Sequence, residues 1–139
     1  MRVLIADDSE AFVKRLLSAL AEIRGAEVIA QARTGTEALQ AVRSLHPEII
    51  ILDISMPEGT GIEVLEGMKA EKAAPVTIVL TNFTYSQYRK RCQQLGAVYF
   101  FDKSTEFAKV GEVLRRLIQG ESEAPEGGYK MAERESPPA

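Results

Sequence analysis

Glu48-Ile49-Ile50-Ile51-Leu52-Asp53 is an unbroken run of four branched apolar residues closed by an acid. Because it does not alternate with polar residues, it reads as a strand covered on both faces, as strands of parallel sheets are. Three more short apolar runs end the same way: Val3–Ala6 on Asp7 and Asp8, Val76–Leu80 on Thr81, and Ala97–Phe101 on Asp102 and Lys103. Parallel strands place their carboxyl ends along one sheet edge, where open α/β folds bind ligands. Acids, a hydroxyl and an ammonium then meet in one crevice, a chemistry suited to a divalent cation and a phosphate.

Between these runs the apolar spacing becomes helical. Phe12, Leu16, Ala19 and Ile23, with Val13, Leu17 and Leu20, share one face of a first helix that Gly25 is expected to stop. Val28–Ala32 reads as a second strand, and Thr34 with Glu37 as a capping box opening a helix with Ala38, Leu39 and Val42 inward. Pro57, Gly59 and Gly61 form a loop before a third helix bearing Ile62, Leu65 and Met68. Ser86–Leu95 is the expected fourth helix, capped by Gly96. Ser104–Gln119 is the fifth, with Phe107, Val110, Val113, Leu114, Leu117 and Ile118 as its apolar stripe and Gly120 at its end. Strand-helix alternation with right-handed crossovers predicts a doubly wound α/β domain: a five-stranded parallel sheet with helices on both faces.

The 139 residues suffice for one domain burying roughly two thirds of its unfolded surface. Met1-Arg2 runs straight into a strand without a signal-peptide core, and no apolar stretch approaches the ~20 residues of a membrane span, so a cytoplasmic protein is expected. The single cysteine, Cys92, falls at core spacing and reads as a small buried hydrophobe. Residues 121–139 carry the whole net charge of −3 and few large apolar side chains, which predicts an acidic, disordered tail beyond a 1–120 domain. The balanced domain has no electrostatic footprint for nucleic acid. Arg89-Lys90-Arg91 reads as a solvated helix face or, with Tyr85, Tyr88 and Tyr99, as part of a protein-docking surface. His46 is a lone loop histidine, not a metal ligand.

Taken together, Asp7-Asp8-Ser9, then Asp53-Ile54-Ser55-Met56-Pro57 with Gly61, then Thr81, and finally Gly96-Ala97 leading to Phe100-Phe101-Asp102-Lys103 resemble the receiver domain of bacterial two-component response regulators. The resemblance covers about residues 1–120 and implies a (βα)5 flavodoxin-like fold with strand order 2-1-3-4-5. It implies that Asp53 is the phosphoacceptor, assisted by Lys103 and Thr81. Mg2+ would be held by Asp8 and Asp53 directly, by Asp7 through water, and by the Ser55 backbone carbonyl. Thr81 and Phe100 would be the switch pair, Phe100 swinging inward as Thr81 moves. The implied partners are a sensor histidine kinase or phosphotransfer protein and a downstream protein on the helix 4, strand 5, helix 5 face, with a homodimer possible. Because the chain ends about twenty residues past the fifth helix, it reads as a stand-alone receiver without an output domain. The stretch Glu27–Gly35 through Pro57 looks most like receivers that are fused to a helix-turn-helix output.

Physical chemistry points the same way independently. Clustered carboxylates repel by about 1 kcal/mol per pair in water and roughly 4 at a protein surface, so the group favours a cation. A hydrogen bond from the Thr81 hydroxyl to a charged phosphoryl oxygen is worth ~1.5–3 kcal/mol, enough to shift a two-state equilibrium tenfold. Alternative roles are a loop-capping acid for Asp53, helix N-caps for Asp7 and Asp8, and a permanently buried strand aromatic for Phe100. Two departures from the family pattern stand out. Asn82 follows Thr81 where a very small residue is usual, and its amide narrows the phosphate's entry. Ser104 follows Lys103 where proline is common. These departures also fit a receiver fold kept purely for interaction. An aspartyl-nucleophile phosphatase is the other rival, although it would want an acid at position 55.

Overall fold

The computed structural model describes residues 1–73 and 75–120. Strands β1 (Arg2–Ala6), β2 (Glu27–Ala32), β3 (Ile49–Leu52), β4 (Val76–Thr81) and β5 (Tyr99–Asp102) form one parallel sheet in the order β2-β1-β3-β4-β5. Helices α1 (Glu10–Ala21), α2 (Gly35–Leu45), α3 (Gly61–Ala70), α4 (Ser86–Gln94) and α5 (Phe107–Ile118) alternate with them. The chain steps outward from β1 to β2 and then back across β1 to β3, so the order reverses between β1 and β3. That reversal opens a crevice above their carboxyl ends, at Asp7 and Asp53.

All four residues of β3 are buried. Ile49 and Ile51 pack with α1 and α5, while Ile50 and Leu52 pack with α2, α3 and α4. Two apolar cores on opposite faces explain the run without alternation, and each such side chain contributes on the order of 1.5–3 kcal/mol. Cys92 is fully buried, and burial pushes its thiol up to about 12, as befits a small core residue.

The helix and strand ends differ from the sequence expectation for local reasons. Helix α1 ends at Ala21 with Glu22 as its cap, and Gly25 serves the following turn with a φ of 94°. Strand β5 begins at Tyr99, because the Ala97 N–H is still bonded to the Cys92 carbonyl at 3.0 Å around Gly96. Helix α5 begins only at Phe107. The Asp102 carboxylate accepts the N–H groups of Ser104 (2.7 Å) and Thr105 (3.4 Å), which holds that segment as a turn. At α2, Thr34 accepts the Glu37 N–H, but the Glu37 carboxylate takes the Arg33 N–H instead of completing a box. The complete capping box is formed by Thr60 and Glu63 and opens α3. The expected tail at 121–139 lies outside the described residues.

Candidate functional site

Three sheet bonds fix the backbone of the site. The Asp7 N–H donates to the Ala32 carbonyl, Asp53 N–H to Ala6, and Lys103 N–H to Thr81, each at 2.9 Å. Side chains leaving the carboxyl ends of β1, β3 and β5 are thereby aimed at one another. The Lys103 Nζ lies 2.7 Å from Asp7 Oδ2 and 2.9 Å from Asp53 Oδ2, and all three residues are buried. The remaining carboxylate oxygens are also engaged. Asp7 Oδ1 accepts the Ser9 N–H at 2.9 Å and Asp53 Oδ1 the Ser55 N–H at 3.2 Å. The Phe12 ring packs 4.3 Å from Nζ, covering the ammonium with an aromatic face.

Ser9 caps α1 by accepting the Phe12 N–H, so the helix needs neither Asp7 nor Asp8 as its cap. Asp8 is exposed, and among the described residues no hydrogen bond or ion pair engages its carboxylate. One oxygen from each of Asp7, Asp8 and Asp53 can lie within 4.8 Å of the others. Hard oxygen donors at this spacing fit Mg2+ rather than a soft metal.

Gly61 brings α3 against this centre. A Cβ there would stand 2.2 Å from the Asp53 carbonyl oxygen, while the Gly61 N–H donates to Ile54 at 2.8 Å. Any larger residue would displace the backbone that carries Asp53.

Burial raises the Asp7 carboxyl above its ordinary value, opposed by the Lys103 and Ser9 hydrogen bonds and reinforced by the charge of Asp53. Burial alone would lower Lys103, but its bonds to Asp7 and Asp53 hold it above the ordinary lysine value. The folded protein therefore binds more protons at Asp7 than the unfolded chain between the ordinary and the raised value, and metal-free stability from this group falls as pH rises through that window. Asp7→Asn removes the effect. Urea titrations carried from neutral pH down to the ordinary carboxylate value are expected to show wild type gaining stability relative to the variant as pH falls. A wild-type curve parallel to that of the variant would contradict it.

Thr81 is fully buried at the end of β4, and its Oγ1 accepts the Phe83 N–H at 3.1 Å, leaving its own proton to donate. Phe100 is already fully inside, packed on the α4 side with the Arg89 guanidinium 4.6 Å over its ring. Tyr99 points to the opposite core, between α1 and α5, and is not part of an α4 surface. Arg91 pairs with Glu66 on α3 at 3.0 Å, so the basic run is partly committed within the domain. His46 caps α2 in a left-handed conformation. Phe12, placed by its spacing on the apolar face of the first helix, covers the Lys103 ammonium, a contact the spacing does not predict.

The response regulator receiver domain family matches residues 3–115. The chain belongs to that family. A Pseudomonas aeruginosa relative named as a transcriptional regulator is 31% identical over 135 residues, which take in 97% of this chain and 65% of the relative. A protein-glutamate methylesterase/protein-glutamine glutaminase of Desulfotalea psychrophila is 39% identical over 108 residues, 76% of this chain but 30% of the enzyme. In such enzymes only the receiver domain aligns. This receiver thus spans less than two thirds of the length of either relative. Among solved structures, a chain of the CheX–CheY–BeF3–Mg2+ complex of Borrelia burgdorferi superposes with a TM-score of 0.74 at 30% identity, covering 86% of this chain and 88% of its own. Receivers are phosphoacceptors that meet kinases, phosphotransfer proteins and other proteins. Among the described residues no helix is long and apolar enough to cross a membrane.

Proposed function

We propose that this receiver is a phosphorylation-dependent switch that takes a phosphoryl group onto Asp53 from a sensor histidine kinase or phosphotransfer protein and signals by protein contact. The observation that carries the reading is the buried Lys103 ammonium held between Asp7 and Asp53 at the sheet's switch point. A carboxylate oxygen of Asp53 attacks phosphorus, the donor's bond to phosphorus breaks, and the leaving group departs with the electron pair. Lys103 then has a phosphoryl oxygen to pair with in place of the carboxylate. Asp8 and Asp53 would hold Mg2+ directly, Asp7 through water, and the Ser55 carbonyl would complete the protein's share. When bound, the ion supplies neutralisation of charge on the transferring oxygens.

Readout begins at Thr81. Its hydroxyl donates to a phosphoryl oxygen while still accepting the Phe83 N–H, so a shift of Thr81 draws the loop after β4 with it. Phe83 stands edge-on to Tyr88 at 6.4 Å, and Tyr88 meets Tyr85 at 6.0 Å. Phe83 and Tyr85 are 41% and 66% exposed, so the shift reaches the surface at α4. Phe83 and Tyr88 also line a cleft of about 260 Å³ beside Ser55. Phe100 faces the same side of the sheet as Thr81, and its inward packing is the state that phosphorylation locks. Thr81→Ala is expected to accept beryllofluoride with Mg2+ yet lose most amide NMR shifts at Phe83, Tyr88 and Phe100. Full shifts in the variant would overturn the route.

A further inference from the structure

The two departures from the family pattern meet each other. The Ser104 hydroxyl donates to Asn82 Oδ1 at 3.2 Å, joining the loop after β5 to the loop after β4. Both ends of this bond are positioned by the site itself. Ser104 follows Lys103, and its N–H is fixed on the Asp102 carboxylate at 2.7 Å. Asn82 lies between Thr81 and Phe83, which are themselves bonded. One strand register step links the bases of the two loops, Thr81 opposite Asp102, and the Lys103 N–H bonds the Thr81 carbonyl. The side-chain bond therefore closes a ring of contacts around the two residues proposed to hold the phosphoryl group. Asn82 and Ser104 are exposed, so the bond lies at the surface, one residue along the chain from Thr81 and from Lys103.

We propose that the Asn82–Ser104 hydrogen bond is a strap across the mouth of the phosphoacceptor site that slows both loading and hydrolysis. The inference rests on the phosphoacceptor reading of Asp53. In loading from acetyl phosphate, an Asp53 oxygen bonds to phosphorus and acetate leaves with the electron pair of the broken P–O bond. In hydrolysis, a water oxygen bonds to phosphorus, Asp53 leaves as a carboxylate, and the water's protons pass to inorganic phosphate and solvent. Each step needs a second molecule in line with phosphorus, on the face over which the strap lies. Asn82 and Ser104 are positioning residues, because neither is a ligand of the reacting atoms.

The test uses the full chain with acetyl phosphate and Mg2+, following phosphoprotein by intact mass during loading and, after donor removal, during decay. A single hydrogen bond corresponds to about 2- to 10-fold in a rate. Ser104→Ala is expected to raise both rates by that factor at an unchanged melting temperature, and Ser104→Thr, which keeps the hydroxyl, to restore them. Asn82→Ala is expected to raise them at least as much, since it also removes bulk. The double variant is expected to match Asn82→Ala, because only one bond is there to lose. Ser104→Ala at wild-type rates, or effects of the two substitutions that multiply, would overturn the strap. Wild type that accepts no phosphoryl group at all would instead overturn the reading of Asp53, so the two failures are distinguishable.

Discussion

Asp53→Asn is expected to abolish phosphoryl incorporation from acetyl phosphate while leaving the domain folded. The amide is isosteric and keeps an oxygen for the Ser55 N–H, which Asp53 Oδ1 now accepts at 3.2 Å. Lys103 keeps Asp7 at 2.7 Å, so no buried cation is stranded. What disappears is the anionic nucleophile, and an amide oxygen does not displace a leaving group from phosphorus on the same timescale. Intact mass measured alongside a thermal melt separates chemistry from folding. A variant labelled as fast as wild type would remove Asp53 from the reaction.

Lys103→Met carries the largest expected cost in stability. Lys103 is the ammonium between two buried carboxylates, and removing one partner of a buried charge cluster typically costs about 3–5 kcal/mol. Native domains hold only about 5–15 kcal/mol in all, so the variant is expected to fold at low temperature and to melt far earlier. Methionine preserves the length of the aliphatic stem and removes the ammonium that lies over Phe12, so the loss reports charge rather than a cavity. Mg2+ at about a hundredfold over its dissociation constant returns roughly 2.7 kcal/mol by mass action, provided the acids still bind it. Urea unfolding with and without Mg2+ measures both quantities. A metal-free variant within about 1 kcal/mol of wild type would mean that the carboxylates are not held by this ammonium.

What could be read from the sequence was whatever one strand or one helix decides by itself. Ile49 to Leu52 had to be covered on both faces, and once they were a parallel strand, Asp53 had to stand on the sheet's edge. Asp7, Thr81 and Lys103 followed by the same reasoning; the structure brings Asp7, Asp53 and Lys103 into contact and sets Thr81 at the end of β4, opposite Asp102. The misreadings occurred where two segments compete for one polar group. Glu37 satisfies Arg33 instead of its own cap, and the Asp102 carboxylate gathers the Ser104 and Thr105 N–H groups into a turn ahead of α5. Alternation along β5 sends Tyr99 and Phe101 to one core and Phe100 to the other, so Tyr99 could not share a surface with Tyr88. Gly61 was legible as a loop residue, but its 2.2 Å clearance problem exists only once α3 is docked on Asp53. Asn82 and Ser104 were each visible as oddities. Their bond spans 22 positions of sequence and could not be read from either residue alone.

The most direct measurement of the central claim is to incubate wild-type chain with acetyl phosphate, with and without Mg2+, and to map the adduct by peptide mass spectrometry. One phosphoryl group per chain is predicted, on the peptide containing Asp53, formed with Mg2+ and largely lost when the metal is chelated before the donor is added. An adduct on another residue, or a chain that stays unmodified with donor and metal both present, would contradict the account.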